Sequence, residues 1–221
     1  MTVRISSIKK EARDALAGNW GIAVLLTLIL VFFAGIVPIM FEIAASGGFE
    51  NWVNQTEPSS SSSLFSLLIS FAMIPFSVSV YWFFLHLVRG KRQSVGDVFS
   101  IYASIGTAFK MIGVSILIGI FVFLWFLLLI IPGIIKSFSY SQTFFILKDQ
   151  PELSALEAIS ESKRRMKGYK WKYFVLYLSF IGWAFLSLFT LGIGYLWLMP
   201  YMQASLATFY NRHIATQGHE M

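Results

Sequence analysis

The densest group of charged and aromatic side chains lies in residues 161–174, ESKRRMKGYKWKYF, which hold six cations and four aromatic rings. Lysine and arginine can bind phosphate and aromatic rings can stack on bases, so the segment alone fits a nucleic-acid surface. It also fits the edge of a membrane, where each cation is attracted to anionic lipid by about 1 kcal/mol and aromatic rings anchor helix ends. The rest of the chain must decide between these interpretations.

The composition of the chain favours the membrane. Of its 221 residues, 57% are hydrophobic and 13% are charged, and the mean hydropathy is +0.70. A soluble domain carries about 25% charged residues, so this chain lacks the polar surface that would cover a large core in water. Cysteine is absent, which excludes disulfides, thiolate nucleophiles and cysteine-based metal sites. We predict one all-α polytopic membrane domain over residues 1–221.

Six stretches are predicted to cross the membrane. A helix of about 20 apolar residues spans the ~30 Å hydrocarbon core. The predicted spans are residues 20–41, 64–88, 111–131, 133–149, 174–191 and 195–210. Residues 42–63 form an outer serine-rich loop without lysine or arginine. The fourth stretch is short and holds Lys136, so it is either a span of its own or a continuation of the third helix.

The distribution of lysine and arginine favours six spans. With the N-terminus inside, the cytoplasmic segments are residues 1–19, 89–110, 148–172 and 211–221. These segments hold 16 of the 17 lysines and arginines. With five spans, the cations of residues 161–174 would share a side with the loop at 42–63. Because cytoplasmic segments carry the excess of positive charge, we predict six spans with both termini cytoplasmic.

Two amphipathic helices are predicted to lie on the cytoplasmic membrane surface. Residues 3–17 repeat apolar side chains at helical spacing, with cations on the other sides, and Gly18 follows as a stop signal. Residues 152–167 have the same pattern, and Ser154 with Glu157 fits a capping box at the start. Both helices are expected to run parallel to the bilayer.

This topology places the basic segment at the cytoplasmic end of the fifth span. Within it, Glu161 precedes Arg165 by one helical turn, which is an ion-pair spacing. Nucleic-acid binding needs a groove or a stacking platform, and no other segment supplies one. We therefore expect anionic lipid headgroups as partners, with a membrane protein as a further candidate and no nucleic acid. The predicted headgroup surface consists of Lys163, Arg164, Arg165, Lys167, Lys170, Trp171 and Lys172.

Polar side chains inside the fourth and sixth spans leave two interpretations open. Burying such groups without partners is unfavourable, so they either link helices by hydrogen bonds or line a polar cavity. Lys136 can also reach the outer interface or pair with Glu42. The candidate cavity residues are Lys136, Ser139, Gln142 and Gln203.

Several segments resemble a known family. They are ALAGNWG at residues 15–21, the stretch from IIPGIIKSFSYSQTFFILKDQ at 130–150 through ESKRRMKGYKWKYF, and LGIGYLWLMPYMQASLATFY at 191–210. In these the chain resembles bacterial membrane proteins of the domain of unknown function 975 family. The resemblance covers most of the chain except the serine-rich loop, and implies several spans but no activity, substrate or catalytic residue. More distantly, the chain is similar to the membrane region of some glycerophosphodiester phosphodiesterases, which implies a lipid-related setting.

No constellation for catalysis is evident. The histidines, His86, His213 and His219, have no acidic partner at helical spacing within a span. No nucleophile elbow, phosphate-binding glycine loop or pair of intramembrane carboxylates occurs. We expect no enzyme, no metal and no cofactor. Two functions stay open: a scaffold, accessory or envelope-associated factor, and a small transporter or lipid-handling protein with a polar cavity between the fourth and sixth spans.

Overall fold

Residues 4–218, the part of the chain that the computed structural model describes, contain α-helices joined by short turns and no strand. The α-helices are α1 (Ile5–Leu16), α2 (Trp20–Val31), α3 (Val37–Ala45), α4 (Phe49–Asn54), α5 (Ser60–Val88), α6 (Val95–Phe99), α7 (Ile105–Leu128), α8 (Ile130–Tyr140), α9 (Thr143–Asp149), α10 (Ala155–Arg165), α11 (Lys170–Leu178), α12 (Ile181–Leu188) and α13 (Tyr195–His213). A π-helical turn, Phe32–Ile36, joins α2 to α3, and 3₁₀ turns occupy Ser100–Ala103 and Ala215–Gly218. The all-helical prediction is confirmed over the described range.

Four helical stretches are long and apolar enough to cross a membrane: Trp20–Ala45, Ser60–Val88, Ile105–Leu128 and Lys170–Leu188. They correspond to the first, second, third and fifth predicted spans. In their most apolar windows only 11–28% of the residues are buried inside the protein. Their apolar side chains therefore face outward, which a lipid environment stabilises and water does not.

The fourth predicted span is divided into two helices. α8 ends at Tyr140 and α9 begins at Thr143, so neither alone has the length of a span. The chain reverses at Leu129, where the backbone is extended (φ −160°, ψ 142°), and α8 packs against α7. Farther along, the Lys110 ammonium at the start of α7 donates to the carbonyl of Pro151 (2.6 Å). α8 and α9 thus return along α7 to its starting end, and they do not continue the third helix.

α13, the sixth predicted span, lies at the centre of the bundle. It contacts α1, α2, α5 and α12. Every side chain from Ala204 to Tyr210 is buried. Because protein surrounds this segment on all sides, it needs small and polar residues such as Ser205 and Thr208 for close packing rather than a lipid-facing apolar surface. This explains why α13 is less apolar than the four outer stretches. In the first half of the helix, Trp197 and Met199 are exposed.

α1 has the predicted amphipathic pattern, but its apolar face is covered by protein. Ile8, Ala12 and Leu16 are fully buried, and the helix packs against α13 and α5. Gly18 adopts a φ of +78° after the helix, as expected of a stop residue. The apolar face of α1 therefore packs on α13 and α5, and the placement of this helix at the membrane surface stays a prediction. Val3, the first residue of the predicted helix, lies outside the described residues.

α10 likewise packs on neighbouring helices. Its predicted capping box is confirmed: the Ser154 hydroxyl accepts from the backbone N–H of Glu157, whose carboxylate accepts from the backbone N–H of Ser154 (2.8 Å). Ala158 and Ile159 are buried, and the helix contacts α7, α8 and α9, while Leu156 is exposed. Only the exposed side of α10 is available to a membrane surface.

A second hairpin joins α12 to α13 through residues 189–194. Gly192 has a φ of +87°, and Leu191 has a φ of +52°, in the left-handed region that favours glycine. Gly194 lies so close to Ser187 that a Cβ there would approach the Ser187 hydroxyl to 2.8 Å. The two glycines therefore permit a turn too tight for larger residues.

Candidate functional site

The ends of α5, α9 and α13 are joined by an ion-pair cluster. Arg89, directly after α5, binds the Asp149 carboxylate at the end of α9 through two nitrogens, at 2.6 and 2.7 Å. The Tyr210 hydroxyl donates to the same carboxylate (2.8 Å), and Arg89 Nε donates to the side chain of Asn211 (2.9 Å). A two-point arginine–carboxylate pair fixes orientation as well as distance. Three segments predicted to be cytoplasmic thus meet at one end of the bundle.

A second cluster joins α10 to the end of α13. The Arg165 guanidinium donates to Glu161, to the Gln150 side chain (3.1 Å) and to the carbonyl of Ile214 (3.5 Å). Hydrogen bonds from Arg164, with a further one from Arg165, hold the pKa of Glu161 below its usual value despite partial burial. The predicted Glu161–Arg165 pair is confirmed. Arg165 itself is only 3% exposed, so it lies in the interior and not on the predicted headgroup surface.

The other predicted headgroup residues lie within or directly after this cluster in the sequence and keep accessible surface. They are Lys163, Arg164, Lys167, Lys170, Trp171 and Lys172. Trp171 is exposed at the first turn of α11, the position expected of an aromatic anchor at a membrane interface. Lys172 Nζ lies 5.4 Å from the centre of the Tyr169 ring. This surface therefore combines cations and aromatic rings beside a paired, buried ionic cluster.

α1 is tied to the same end of the bundle. Arg212, near the end of α13, forms a salt bridge with Glu11 and donates to the Ser7 hydroxyl (3.3 Å). With the contact between Lys110 and Pro151, each of the four basic segments is joined to another at this end. Each of the four segments that hold 16 of the 17 lysines and arginines thus has at least one contact at this end of the molecule.

Ser139 and Gln142, two of the predicted cavity residues, are fully buried where α10 crosses the break between α8 and α9. The Ser162 hydroxyl donates to the carbonyl of Ser139 (2.8 Å) and accepts from the backbone N–H of Gln142 (3.2 Å). It therefore pairs two backbone groups beside the break in the helix. Ser162 was not predicted as a key residue, although a serine on the apolar side of an amphipathic helix is a detectable signal.

The remaining two predicted cavity residues have separate environments. Lys136 Nζ lies 4.2 Å from the centre of the Trp125 ring. Glu42 accepts from Gln55 (3.0 Å) instead, so the proposed ion pair between Glu42 and Lys136 is wrong. Gln203 lies on α13, and its buried Oε1, like that of Gln142, has no hydrogen-bond partner among the described residues.

A cavity of about 210 Å³ lies beside the polar segment. Its polar lining consists of Tyr81, Ser137, Tyr140, Ser141, Tyr173 and Tyr177. Tyr173 contacts Phe138 of α8 and Phe209 of α13, at centroid distances of 6.0 and 5.1 Å. Aromatic rings therefore lie between the two helices that were expected to enclose a cavity. Lys136, Ser139, Gln142 and Gln203 do not line the observed cavity, whose tyrosine hydroxyls were missed at the sequence level.

Among residues 4–218, no group of three or more histidine, aspartate or glutamate side chains is arranged to hold a metal ion. His86 and His213 occupy the last turns of α5 and α13, and His219 lies outside the described residues. The expectation that the chain is not an enzyme stays a prediction.

Comparison with known proteins agrees with the resemblance seen in the sequence. The family model described as "Protein of unknown function (DUF975)" matches residues 1–136 and 126–217, which include all six predicted spans. No curated protein and no solved structure matches the chain. Because the family model covers almost the whole chain, this protein belongs to the DUF975 family of proteins of unknown function.

Proposed function

We propose that the chain is a multi-pass protein of a bacterial cytoplasmic membrane that acts there as a non-enzymatic scaffold or accessory factor. The observation that carries this proposal is the set of contacts that joins the four basic segments to one another at one end of an otherwise apolar bundle. Positive charge collected on one side is typical of the cytoplasmic face.

The membrane topology proposed here has six crossings. Four are the long apolar stretches, and the other two are α8 together with α9, and α13. The break between α8 and α9 is compatible with a crossing because Ser162 pairs backbone groups beside it, and non-helical backbone is tolerated at membrane depth where protein surrounds it. α13 is compatible because its neighbours bury residues 204–210, and the side chains exposed in its first half, such as Trp197 and Met199, are apolar.

The scaffold role is supported by the contrast between paired and unpaired charge at the basic end. Arg89, Asp149 and Arg165 form salt bridges that hold helix ends together. Lys163 and Lys167 are exposed and form no salt bridge within residues 4–218. A rigid base that presents free cations suits an anionic lipid surface or an acidic protein partner.

A second function, transport or lipid handling, is supported by the cavity of about 210 Å³ with its tyrosine and serine hydroxyls. That volume has room for several water molecules, each of which needs polar partners. The cavity lies beside the break between α8 and α9, where the ladder of helical hydrogen bonds is already interrupted.

Site-specific photocrosslinking in cells tests the scaffold role. Benzoylphenylalanine is placed at Ser160, exposed on α10 at the basic end, and separately at Thr56, exposed in the opposite loop. We expect discrete protein adducts from position 160 and none from position 56. Only lipid adducts, or the same adducts from both positions, would contradict a scaffold at the basic end.

The topology is tested independently by cysteine labelling. The chain has no cysteine, so Thr56→Cys and Ser160→Cys each introduce a single thiol at an exposed hydroxyl position. In spheroplasts, whose cytoplasmic membrane is intact, a membrane-impermeant maleimide should label Thr56→Cys. It should label Ser160→Cys only after the cytoplasmic membrane has been permeabilised. The reverse result would overturn the orientation.

A further inference from the structure

A groove of about 610 Å³ opens between α1, α12 and α13. Its lining includes two cations from α1 and a group of aromatic rings. These residues are Lys9, Arg13, Trp20, Trp183, Trp197 and Tyr201. The volume is in the range of sites that hold small ligands, roughly 300–1,000 Å³. None of the residues predicted to contact lipid headgroups takes part in it.

Lys9 is held in place by the break between α11 and α12. Its ammonium donates to the carbonyl of Ser179 (2.8 Å) and lies 4.0 Å from the centre of the Phe180 ring. Ser179 is at the midpoint of the candidate span Lys170–Leu188. Burial lowers the pKa of Lys9, with a further contribution from the neighbouring charge of Arg13. A cation is thus fixed beside the middle of a helix that is long enough to cross a membrane.

The charges of the groove are not balanced by the protein. Lys9 and Arg13 are one helical turn apart on α1, a spacing at which like charges repel. No aspartate or glutamate is among the residues that line the groove. Arg13 forms no salt bridge within the described residues, and Glu11 on the same helix is paired with Arg212. An anion placed between the two cations would remove their repulsion and supply the missing partner.

The rest of the groove presents an apolar surface to a ligand. Trp183, Leu186 and Trp197 are each more than half exposed. The two hydroxyl groups in this part are already engaged: Ser187 donates to the carbonyl of Trp183 (2.9 Å), and Thr190 donates to the carbonyl of Ser187 (2.8 Å). A ligand that fills this part therefore gains contact with apolar surface, which favours a hydrocarbon chain.

We infer that this groove binds a membrane phospholipid with an anionic headgroup. The phosphate lies between Lys9 and Arg13, and an acyl chain runs along Trp183, Leu186 and Trp197. A free phosphate would use only the cations and leave the apolar part empty, whereas a lipid uses both. The inference rests on the proposed membrane placement and goes beyond it by assigning a site and its ligand class.

Photocrosslinking with a defined lipid tests the site. The full chain is reconstituted in phosphatidylcholine nanodiscs that contain a minor fraction of phosphatidylglycerol with a diazirine on its acyl chain. We expect adducts on peptides that include Trp183, Leu186 or Trp197, and competition by unlabelled phosphatidylglycerol. Equal competition by added phosphatidylcholine would overturn the specificity, and competition by soluble glycerol phosphate would assign the cations to a free anion instead.

Charge-removing variants provide the matched control. Arg13→Gln, and Lys9→Gln combined with Arg13→Gln, should lower labelling of the groove peptides, by about tenfold for the double variant. Lys10→Gln removes an exposed cation of the same helix that does not line the groove, and should leave labelling unchanged. Equal losses from all variants would overturn the site. Because the Arg13 side chain is exposed, its single variant keeps the test valid if the double variant fails to fold.

Two experiments distinguish a failure of the lipid site from a failure of the proposed membrane placement. Extraction of the wild-type chain from membranes by alkaline carbonate would contradict the placement. Retention in the membrane, combined with labelling that does not distinguish phosphatidylglycerol from phosphatidylcholine, would contradict the lipid site alone.

Discussion

At the end of the bundle where α5, α9 and α13 terminate, charged side chains form ion pairs with one another. The hairpin turns at the opposite ends of α7 and α12 expose mainly apolar side chains, and the exposed Thr190 uses its hydroxyl in hydrogen bonds within its own turn. Residues 127–131, LLLII, have exposed fractions between 66% and 73%, and Leu191 is 96% exposed. Water would solvate the first end readily and the second only at considerable cost. A third connection on the same side, residues 46–59 between α3 and α5, is rich in polar side chains.

We propose that the two ends are stabilised by different environments. The basic end is stabilised within the protein, through salt bridges that join helices distant in sequence. The hairpin turns have few internal partners, so in the membrane placement that we propose lipid or the headgroup region stabilises them.

The largest effect is expected from removing Glu161 at the basic end. Glu161→Ala leaves the charge of Arg165, 3% exposed, without its carboxylate partner. Loss of one member of a buried pair should lower the free energy of unfolding by about 3 kcal/mol. The measurement is thermal unfolding in detergent micelles. Glu152→Ala, at an exposed position of the preceding turn, is the control and should change stability little.

The same pair predicts a pH dependence. Because arginine contacts hold the pKa of Glu161 below its unfolded value of about 4.3, the ion pair contributes fully above that pH and is lost as the pH falls through the lowered pKa. The stabilities of the wild type and Glu161→Ala should therefore converge only under strongly acidic conditions. A constant difference down to that range would show that the charge of Glu161 is not what stabilises the cluster.

Ser162→Ala is expected to have the next largest effect. It removes the hydroxyl that pairs with the Ser139 carbonyl and the Gln142 N–H, and leaves both groups buried without that partner. The expected loss is about 2 kcal/mol in the free energy of unfolding. Ser160→Ala on the same helix changes an exposed hydroxyl and is the matched control. Equal, small effects from both would mean that another group pairs the backbone at the break.

Glu161 and Ser162 also show which features can be predicted from the sequence and which cannot. The apolar length of the outer helices, the capping box at Ser154 and the spacing of Glu161 and Arg165 are local properties, and each was predicted. The covered face of α1, the burial of Arg165 and the role of Ser162 depend on which helix packs nearby. An amphipathic pattern has the same form whether its apolar side faces lipid or a central helix such as α13, so the sequence alone could not decide.

Cysteine labelling tests the apolar end directly. If the turn between α12 and α13 lies in the bilayer, Leu191→Cys should react with a charged maleimide at least about tenfold more slowly than Thr56→Cys, although both positions are exposed in the protein. Detergent solubilisation should reduce the difference. Equal rates in membranes would show that this turn extends into water, and that the two ends differ in charge but not in environment.

The smallest effect is expected at Leu191, where backbone strain and lipid contact oppose each other. Its φ of +52° costs a leucine about 1–2 kcal/mol relative to glycine, while contact with lipid stabilises the side chain by about 1.5–3 kcal/mol when complete. In nanodiscs, Leu191→Ala loses the lipid contact and keeps the strain, so it should be the less stable variant. Leu191→Gly loses both, and should fall within about 1 kcal/mol of the wild type. If the turn lies in water instead, Leu191→Gly should be more stable than the wild type and Leu191→Ala equal to it, since a side chain 96% exposed has almost no protein contacts to lose.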